Sequence, residues 1–390
     1  MADGQRSYLD HNATSPLRPE AADAVARALA LPGNPSSVHA EGRAARAVVE
    51  RAREQVAALV GASASNVVFT SGGTEANNTV LSPAFGRVGE GAATLLLLGA
   101  TEHPSVLEGH RFSAERVERI PVGPEGRIDL AWLRDRLERA VGERPLVSIQ
   151  AANNETGVLQ PVAEAARLVH AAGGLIHTDA VQAGGKVPLD LATLGVDALT
   201  LSAHKLGGPK GVGALVLATN AVQVADRLIR GGGQERGHRA GTENVAAVAG
   251  FGAAAETARS RLREEGTRIR ALRNLAEAEV RRIVPRAVVF GAAAERLPNT
   301  MAFAVPGLKA ETALIAFDLK GVALSSGSAC SSGKVRRSHV LEAMGAPPGL
   351  SEGAIRVSLG WNSTKEDVNR FAATCERVVA TLYKRGADAA

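Results

Sequence analysis

Lys205 stands in the segment 202–211, directly after a short apolar run and among hydroxyl, imidazole and glycine residues. A lysine amine attacks a carbonyl only when it is unprotonated, and a free lysine, with a pKa of about 10.4, is charged at neutral pH. Partial desolvation or a neighbouring positive charge lowers that pKa. The segment therefore predicts a lysine that can hold a carbonyl cofactor as a Schiff base.

Similar polar clusters follow the other short apolar runs that alternate with helical patterns between about residues 40 and 250. These clusters occupy 70–75, 101–103, 153–155, 179–182 and 202–205. The alternation predicts an α/β fold with a mostly parallel sheet. Open parallel sheets bind ligands at the carboxyl ends of their strands. We therefore expect these clusters to meet in one site.

The turn 70–75 has the sequence TSGGTE and links a predicted strand to a predicted helix. Its backbone N–H groups and hydroxyls can surround a phosphate. An N-capped turn without a ligand is an equal alternative, because Ser, Thr and Gly are common in turns. The chain lacks the GxxxxGK(S/T) spacing of a nucleotide P-loop, and no GxGxxG motif follows a strand. The turn therefore favours a single phosphate over ATP or NAD.

Further candidate residues lie in the same clusters. Asp179 precedes Lys205 by one strand-to-strand crossover, where it could keep a pyridinium nitrogen protonated while the lysine carries pyridoxal 5′-phosphate, or simply cap a helix. His103 could stack on a flat ring and carry protons, or be a loop residue without function. His204 could contact the phosphate or be an exposed turn residue.

The glycine-rich segment 231–242 predicts a loop near a ligand or another subunit, with a flexible linker as the alternative.

Cys330 lies in a run of serine, glycine and alanine residues that is too rich in small side chains to be core. A thiol there is accessible. Lys334, Arg336 and Arg337 follow closely and favour the thiolate, which is the nucleophilic form. The pattern predicts a reactive cysteine, with an incidental surface cysteine as the alternative.

Composition narrows the class of protein. The chain has 390 residues, of which 45% are hydrophobic and 22% charged, enough for a large domain and a smaller one. The net charge of +5 is spread along helical stretches, so we expect no nucleic-acid interface. Cys330 and Cys375 form no CxxC pair, and Cys375 fits a small buried position in the last helix. Without a signal pattern or a spanning apolar run, a cytoplasmic protein away from the membrane is expected.

A helical connector over 253–283 separates two different orders of elements. It is charged and rich in alanine, and strands and helices follow it in a new order. We therefore predict a large domain over 15–255. A smaller α+β domain would comprise 1–14 and 256–390 and carry the cysteine loop at about 325–337.

Motifs spread over nearly the whole chain recur together in one known family. They are Tyr8-Leu9-Asp10 with Ala13-Thr14, Asn34-Pro35-Ser36-Ser37 with His39 and Gly42-Arg43, 70–78, Glu102-His103, 153–157, 177–182, 202–211, 231–242, 325–330 and 355–358. With these motifs the chain resembles the cysteine desulfurases, which are class V aminotransferases of the fold-type I group of pyridoxal-phosphate enzymes. That group implies a mostly parallel seven-stranded sheet in the large domain.

The resemblance implies a role for each matching residue. Lys205 would hold the cofactor, Asp179 would pair with its ring nitrogen and His103 would stack on its ring, with Lys205 and His103 as proton carriers. Cys330 would accept sulfur. The other cofactor contacts would be Gln182 and Asn154 at the ring hydroxyl and Gly73, Thr74, Ser202 and His204 at the phosphate, joined by Thr242 of a partner subunit, while Arg356, Asn34 and Asn154 would bind the substrate.

The implied activity is the removal of sulfur from L-cysteine, which gives L-alanine and a Cys330 persulfide. The persulfide would pass to acceptor proteins for iron–sulfur cluster assembly, nitrogenase maturation or other sulfur transfer. The resemblance also implies a homodimer and no resident metal, although Cys330 could transiently ligate a nascent iron–sulfur cluster. A selenocysteine lyase or aminotransferase of the same fold, and a non-catalytic assembly partner, are the alternatives.

Overall fold

The structure, a computed structural model, describes residues 6–326 and 337–387, with side chains up to 382. Its strands and helices follow in chain order. The strands are β1 (Ser7–Tyr8), β2 (Val67–Thr70), β3 (Phe85–Arg87), β4 (Leu95–Gly99), β5 (Val117–Ile120), β6 (Pro145–Ser148), β7 (Leu175–Asp179), β8 (Ala198–Ser202), β9 (Gly213–Leu217), β10 (Val222–Val224), β11 (Val288–Phe290), β12 (Thr300–Ala304), β13 (Val322–Ala323), β14 (Ser325–Ser326) and β15 (Ala354–Ser358). The α-helices are α1 (Pro19–Leu29), α2 (Ala40–Leu59), α3 (Gly73–Val80), α4 (Pro104–Leu107), α5 (Leu130–Glu138), α6 (Val162–Ala171), α7 (Leu191–Leu194), α8 (Val245–Ser260), α9 (Leu262–Ile283), α10 (Ala310–Leu319), α11 (His339–Ala343), α12 (Pro348–Ser351) and α13 (Lys365–Ala387).

A seven-stranded sheet positions the candidate site. Its strand order is β2-β9-β8-β7-β6-β4-β5, and only β9 runs antiparallel to its neighbours. Strands β4, β6, β7 and β8 are buried along their whole length, which is why apolar residues predominate in each of them or at its start. The predicted α/β fold with a mostly parallel sheet is confirmed.

The connector predicted over 253–283 is two helices and not one. Helix α8 ends at Ser260 and α9 begins at Leu262, because Arg261 between them has a non-helical ψ of 5°. The residues of α8 belong to the core around the large sheet, together with those of α2, whereas the residues of α9 belong to a second core. The helix breaks where the chain leaves one core for the other.

A four-stranded antiparallel sheet of order β11-β12-β15-β14 forms the basis of that second core. Helices α9, α10 and α13 contribute apolar side chains to it, among them the stacked rings of Phe317 and Phe371. The N-terminal strand β1 joins this part of the chain by pairing with β13. Helix α13 begins with a capping box, since Thr364 and Asp367 exchange hydrogen bonds. The exact domain bounds stay a prediction.

No helix within residues 6–326 and 337–387 combines the length and the hydropathy needed to cross a membrane.

Candidate active site

The clusters predicted from the sequence meet at a cavity of about 250 Å³ at the carboxyl ends of the parallel strands. Its wall contains every residue predicted for cofactor binding except Thr242. The lining residues are Gly73, Thr74, Asn77, His103, Ser105, Gln150, Ala152, Asn154, Asp179, Val181, Gln182, Ser202, His204 and Lys205.

Lys205 ends a short 3₁₀ turn that follows β8 directly. Its Nζ donates to the backbone carbonyls of Asn12 at 2.5 Å and Ala13 at 2.8 Å. Burial lowers the pKa of the Lys205 amine to about 8, and the Arg356 guanidinium adds to this effect against the carboxylates of Asp10 and Asp179. The structure thus supplies both causes that the sequence called for, desolvation and a neighbouring positive charge.

Asp179 is the last residue of β7, and two donors orient its carboxylate. Oδ1 accepts from the Val181 N–H at 2.9 Å, and Oδ2 accepts from Asn77 Nδ2 at 2.8 Å. Asn77 also donates to Ser105 Oγ at 2.9 Å. Sequence reasoning assigned Asn77 no role, but it lies one helical turn after Gly73 in α3, and therefore on the same face of the helix.

The N-terminus of α3 borders the same cavity. Its N-cap, Gly72, offers no side chain, and no other described side chain caps the helix. A Cβ on Gly73 would lie 2.7 Å from Val181 Cγ2, so this position requires glycine. Thr74 lines the cavity. The uncapped N–H groups favour the anion site over the alternative of an N-capped turn.

Glu75 fixes this turn from outside. Its carboxylate accepts from the Ser71 N–H at 2.8 Å and from Arg239 at 3.0 Å. Burial raises the pKa of Glu75, but these hydrogen bonds outweigh it and leave the pKa below its ordinary value. Arg239 belongs to the glycine-rich segment 231–242, which the sequence placed near a ligand or another subunit. The segment contacts the helix that borders the cavity.

His103 is the N-cap of α4. Its Nδ1 accepts from the Ser105 N–H at 3.1 Å and lies 2.8 Å from Ser105 Oγ. Burial lowers the pKa of the imidazole, helped by Lys205 and His339 and opposed by Asp179. The ring is therefore neutral near pH 7, with its proton on Nε2 because Nδ1 is the acceptor.

His204 also lines the cavity, and its Nδ1 lies 3.2 Å from Thr14 Oγ1. Burial lowers its pKa to about 4, with further contributions from Lys205, Lys210 and Lys186. His204 is therefore a neutral hydrogen-bonding group at pH 7 and not a cation.

The predicted substrate residues do not gather in the same way. Arg356 is buried in β15, where it donates to Asp10 Oδ1 at 2.8 Å and to the Asn154 carbonyl at 3.0 Å, while its Nε has no partner among the described residues. Asn34 is exposed, and its Oδ1 accepts from the Ser36 N–H. Thr242 is exposed as well. Neither Asn34 nor Thr242 lines the cavity of its own chain.

Cys330 lies outside the described residues, but the chain on both sides of it is placed. On one side Ser325 pairs with Arg356 across strands β14 and β15. On the other side His339 Nε2 lies 2.9 Å from the Glu102 carbonyl. The segment that contains Cys330 therefore starts and ends next to groups of the site.

Cys375 is buried as expected, with 1% of its surface exposed and its pKa raised by burial to about 12.

Sequence reasoning gave no role to Asn12. Its carbonyl accepts from Lys205 Nζ at 2.5 Å and from Gln182 Nε2 at 3.0 Å. Its side chain donates to Thr300 Oγ1 at 2.9 Å and to the Asn154 carbonyl at 3.1 Å. Asn12 lies inside the N-terminal motif of Tyr8-Leu9-Asp10 and Ala13-Thr14. That position is the only sequence feature that pointed to a role for it.

The cavity fits pyridoxal phosphate, the cofactor that the resemblance implies. The uncapped N-terminus of α3, with Ser202 and His204 beside it, suits a phosphate. The oriented carboxylate of Asp179 suits a protonated ring nitrogen, and the Lys205 amine has the lowered pKa that carbonyl attack requires.

Comparisons with known proteins agree with this arrangement. The family model for class V aminotransferases matches residues 7–371. A cysteine desulfurase of Cereibacter sphaeroides is 43% identical over 97% of this chain and 97% of its own length. The cysteine desulfurase NifS of Azotobacter vinelandii is 40% identical over 96% of this chain and 93% of its own. The crystal structure of a NifS-like protein from Rickettsia africae superposes with a TM-score of 0.87 at 33% identity, covering 96% of this chain and all of that one.

Proposed function

This chain belongs to the class V aminotransferase family and is a pyridoxal-phosphate-dependent cysteine desulfurase, and we propose that its strand-end cavity and Cys330 share the reaction. The observation that carries the proposal is the convergence of Lys205, with its lowered pKa, and the oriented Asp179 in one cavity. The cavity loosens the carbon–sulfur bond of L-cysteine, and Cys330 takes the sulfur.

Each of the cavity residues is assigned to a different part of the cofactor. Lys205 would bind its carbonyl carbon, Asp179 would pair with its ring nitrogen, and His103 would stack on its ring. Bound there, pyridoxal phosphate supplies an electron sink for the bond electrons released next to the amino group of the substrate. The remaining contacts are Gln182 and Asn154 at the ring hydroxyl and Gly73, Thr74, Ser202 and His204 at the phosphate, with Thr242 of a partner subunit in a homodimer.

Two groups move protons. The Lys205 amine, with a pKa of about 8, is close enough to neutrality to accept and return a proton at Nζ. The neutral imidazole of His103 carries its proton on Nε2, because Nδ1 is occupied by the Ser105 N–H. His103 therefore offers a hydrogen bond from Nε2 while uncharged, and it passes on a proton only after its ring has taken one up.

Arg356 binds the carboxylate of L-cysteine, with Asn34 and Asn154 as further contacts. The support is its guanidinium, which Asp10 and the Asn154 carbonyl hold in place while the buried Nε keeps an unused N–H. A guanidinium is suited to a carboxylate because it offers several N–H groups in one plane.

The Cys330 thiolate attacks the sulfur of the substrate. A sulfur–sulfur bond forms while the carbon–sulfur bond breaks, and the carbon keeps the electron pair and takes up a proton, so that L-alanine leaves and Cys330 carries a persulfide. The basic residues that follow Cys330 in the sequence favour its thiolate. The persulfide then passes to an iron–sulfur scaffold, to nitrogenase maturation or to another sulfur acceptor, with Cys330 able to ligate a nascent cluster transiently.

Alkylation after a short incubation with L-cysteine tests this assignment. Mass analysis should find one additional sulfur on the peptide that contains Cys330. The Cys330→Ala variant should keep the visible absorbance of the bound cofactor yet release no sulfide. Full sulfide release by that variant contradicts the role of Cys330 and would favour a lyase of the same fold, such as a selenocysteine lyase, over an aminotransferase, which leaves the carbon–sulfur bond intact.

A further inference from the structure

Lys186 is a second lysine beside the cavity, in contact with the lining residue Gln182, and the mechanism above does not use it. Its Nζ donates to Gln182 Oε1 at 2.9 Å and lies 3.4 Å from Asn12 Oδ1. Burial lowers the pKa of Lys186 well below its ordinary value, and the charges of Lys205 and Arg356 lower it further. Removing an amine from water costs free energy, so we asked what function the buried Lys186 serves.

Hydrogen bonds connect Lys186 to Lys205 through two intermediates. Gln182 Oε1 accepts from Lys186, and Gln182 Nε2 donates to the Asn12 carbonyl at 3.0 Å. The same carbonyl accepts from Lys205 Nζ at 2.5 Å. Contacts to Asn299, Thr300 and the Asn154 carbonyl hold the side chain of Asn12 in place. The two donors Gln182 Nε2 and Lys205 Nζ therefore share one acceptor.

We propose that Lys186 is a positioning residue that acts through Gln182 on the Asn12 carbonyl and so weakens the hold of that carbonyl on Lys205. A hydrogen bond to Oε1 polarises the Gln182 amide and makes Nε2 the stronger donor, since hydrogen bonds in a chain reinforce one another. The Asn12 carbonyl oxygen already accepts a hydrogen bond from Gln182. It is therefore a weaker acceptor for the Lys205 ammonium. Lys205 then loses its proton more readily and can leave for the carbonyl of the cofactor.

Lys186 helps to lower the pKa of His204, but burial is the larger cause, so His204 stays uncharged when Lys186 is changed and the charges near Lys205 are unaltered. Arg356 lowers the pKa of Lys205, and Asp10 and Asp179 raise it. His103 and His204 face Lys205 as imidazoles whose own pKa values are lowered. A shift in the titration of Lys205 in a Lys186 variant therefore reports the missing amine.

The test measures capture of pyridoxal phosphate by the cofactor-depleted full-length protein, followed by visible absorbance across a pH series. The wild-type rate should rise with a midpoint near pH 8, where Lys205 loses its proton. In Lys186→Met the midpoint should move to higher pH, with capture at pH 7 about two- to tenfold slower and the full rate recovered in alkali, as the loss of one hydrogen bond implies. Lys210→Met is the matched control, because it removes an exposed lysine from the segment 202–211, which also contains Lys205. It should keep the wild-type midpoint.

An unchanged midpoint, or an equal loss of rate at every pH, overturns the proposal, since a merely structural role moves no titration. Lys186→Leu removes the same amine and serves if Lys186→Met folds poorly. It should show the same shift of the midpoint. The inference rests on Lys205 as the residue that captures the cofactor. Lys205→Ala tests that separately, and continued capture by it defeats the proposed function whatever the Lys186 variants show.

Discussion

Ser338 donates a hydrogen bond from Oγ to the carboxylate of Glu155 over 2.5 Å. Glu155 is 3% exposed, and burial raises its pKa. Its neighbour in sequence, Asn154, lines the cavity. The hydrogen bond therefore joins the chain just after the Cys330 segment to the turn that borders the candidate cofactor site.

We expect Glu155→Ala to separate cofactor binding from sulfur transfer. Loss of a hydrogen bond to a buried carboxylate costs about 1.5–3 kcal/mol, so the anchor at Ser338 loosens and kcat for sulfide release should fall about tenfold or more. The cofactor absorbance and the KM for L-cysteine should stay near wild type. Glu352→Gln is the control, because it removes an exposed carboxylate paired with Arg337, the residue before Ser338. A similar loss in both variants contradicts the role of Glu155.

The two cysteines should differ in reactivity toward an alkylating reagent. Burial raises the pKa of Cys375 to about 12, so its thiol stays protonated at pH 8, whereas Cys330 is proposed to react as a thiolate. Intact-mass analysis of the native protein should show a single alkylation, located at Cys330. Both thiols should react after denaturation. Alkylation of native Cys375 at a comparable rate would disprove its burial.

Asp179→Asn should weaken catalysis without disturbing the fold. The amide keeps the size of the carboxylate but loses the charge, and an opposite charge nearby is worth about one to three pKa units to a protonated ring nitrogen. Turnover should fall by about ten- to a thousandfold, and the affinity for pyridoxal phosphate, measured by titration of the cofactor-depleted protein, should fall with it. The control is Asp190→Asn, since Asp190 caps α7 and asparagine caps equally well.

Arg53 and Glu235 form a buried ion pair that supports the turn 70–75. Their side chains are 3% and 2% exposed, and Glu235 also accepts from the N–H of Phe69, the residue before Thr70. Arg53→Met leaves a buried carboxylate unpaired and should lower the free energy of unfolding by about 3–5 kcal/mol. Chemical denaturation should show part of that loss recovered in the Arg53→Met/Glu235→Leu double variant.

Breaking an exposed pair provides the comparison. Arg230 and Asp226 form a salt bridge on the surface of the same part of the chain. Arg230→Met should leave the denaturation midpoint nearly unchanged, because solvent already screens that pair. A large effect there, or none in Arg53→Met, contradicts the assignment of stability to burial.

The sequence by itself determined the large sheet and the placing of its reactive residues. The buried parallel strands are short and begin with apolar residues, and the polar residues at or just after their ends mark the edge of the sheet, which is why Asp179 and Lys205 could be placed in one site. The break between α8 and α9 escaped prediction, because Arg261 continues a helical pattern. Only the packing of the two helices on different cores shows where the helix must end.

Only the tertiary structure decided which groups tune the site. The carbonyl of Asn12 that receives Lys205 carries no sequence signal, since every residue has a carbonyl and only the fold brings this one within 2.5 Å of Nζ. Likewise Arg356 is far from Lys205 along the sequence, yet its charge helps to lower the pKa of the lysine. Residue types fixed the chemistry available to the chain, whereas burial and charge separation, which depend on distances through space, set the protonation state in which that chemistry operates.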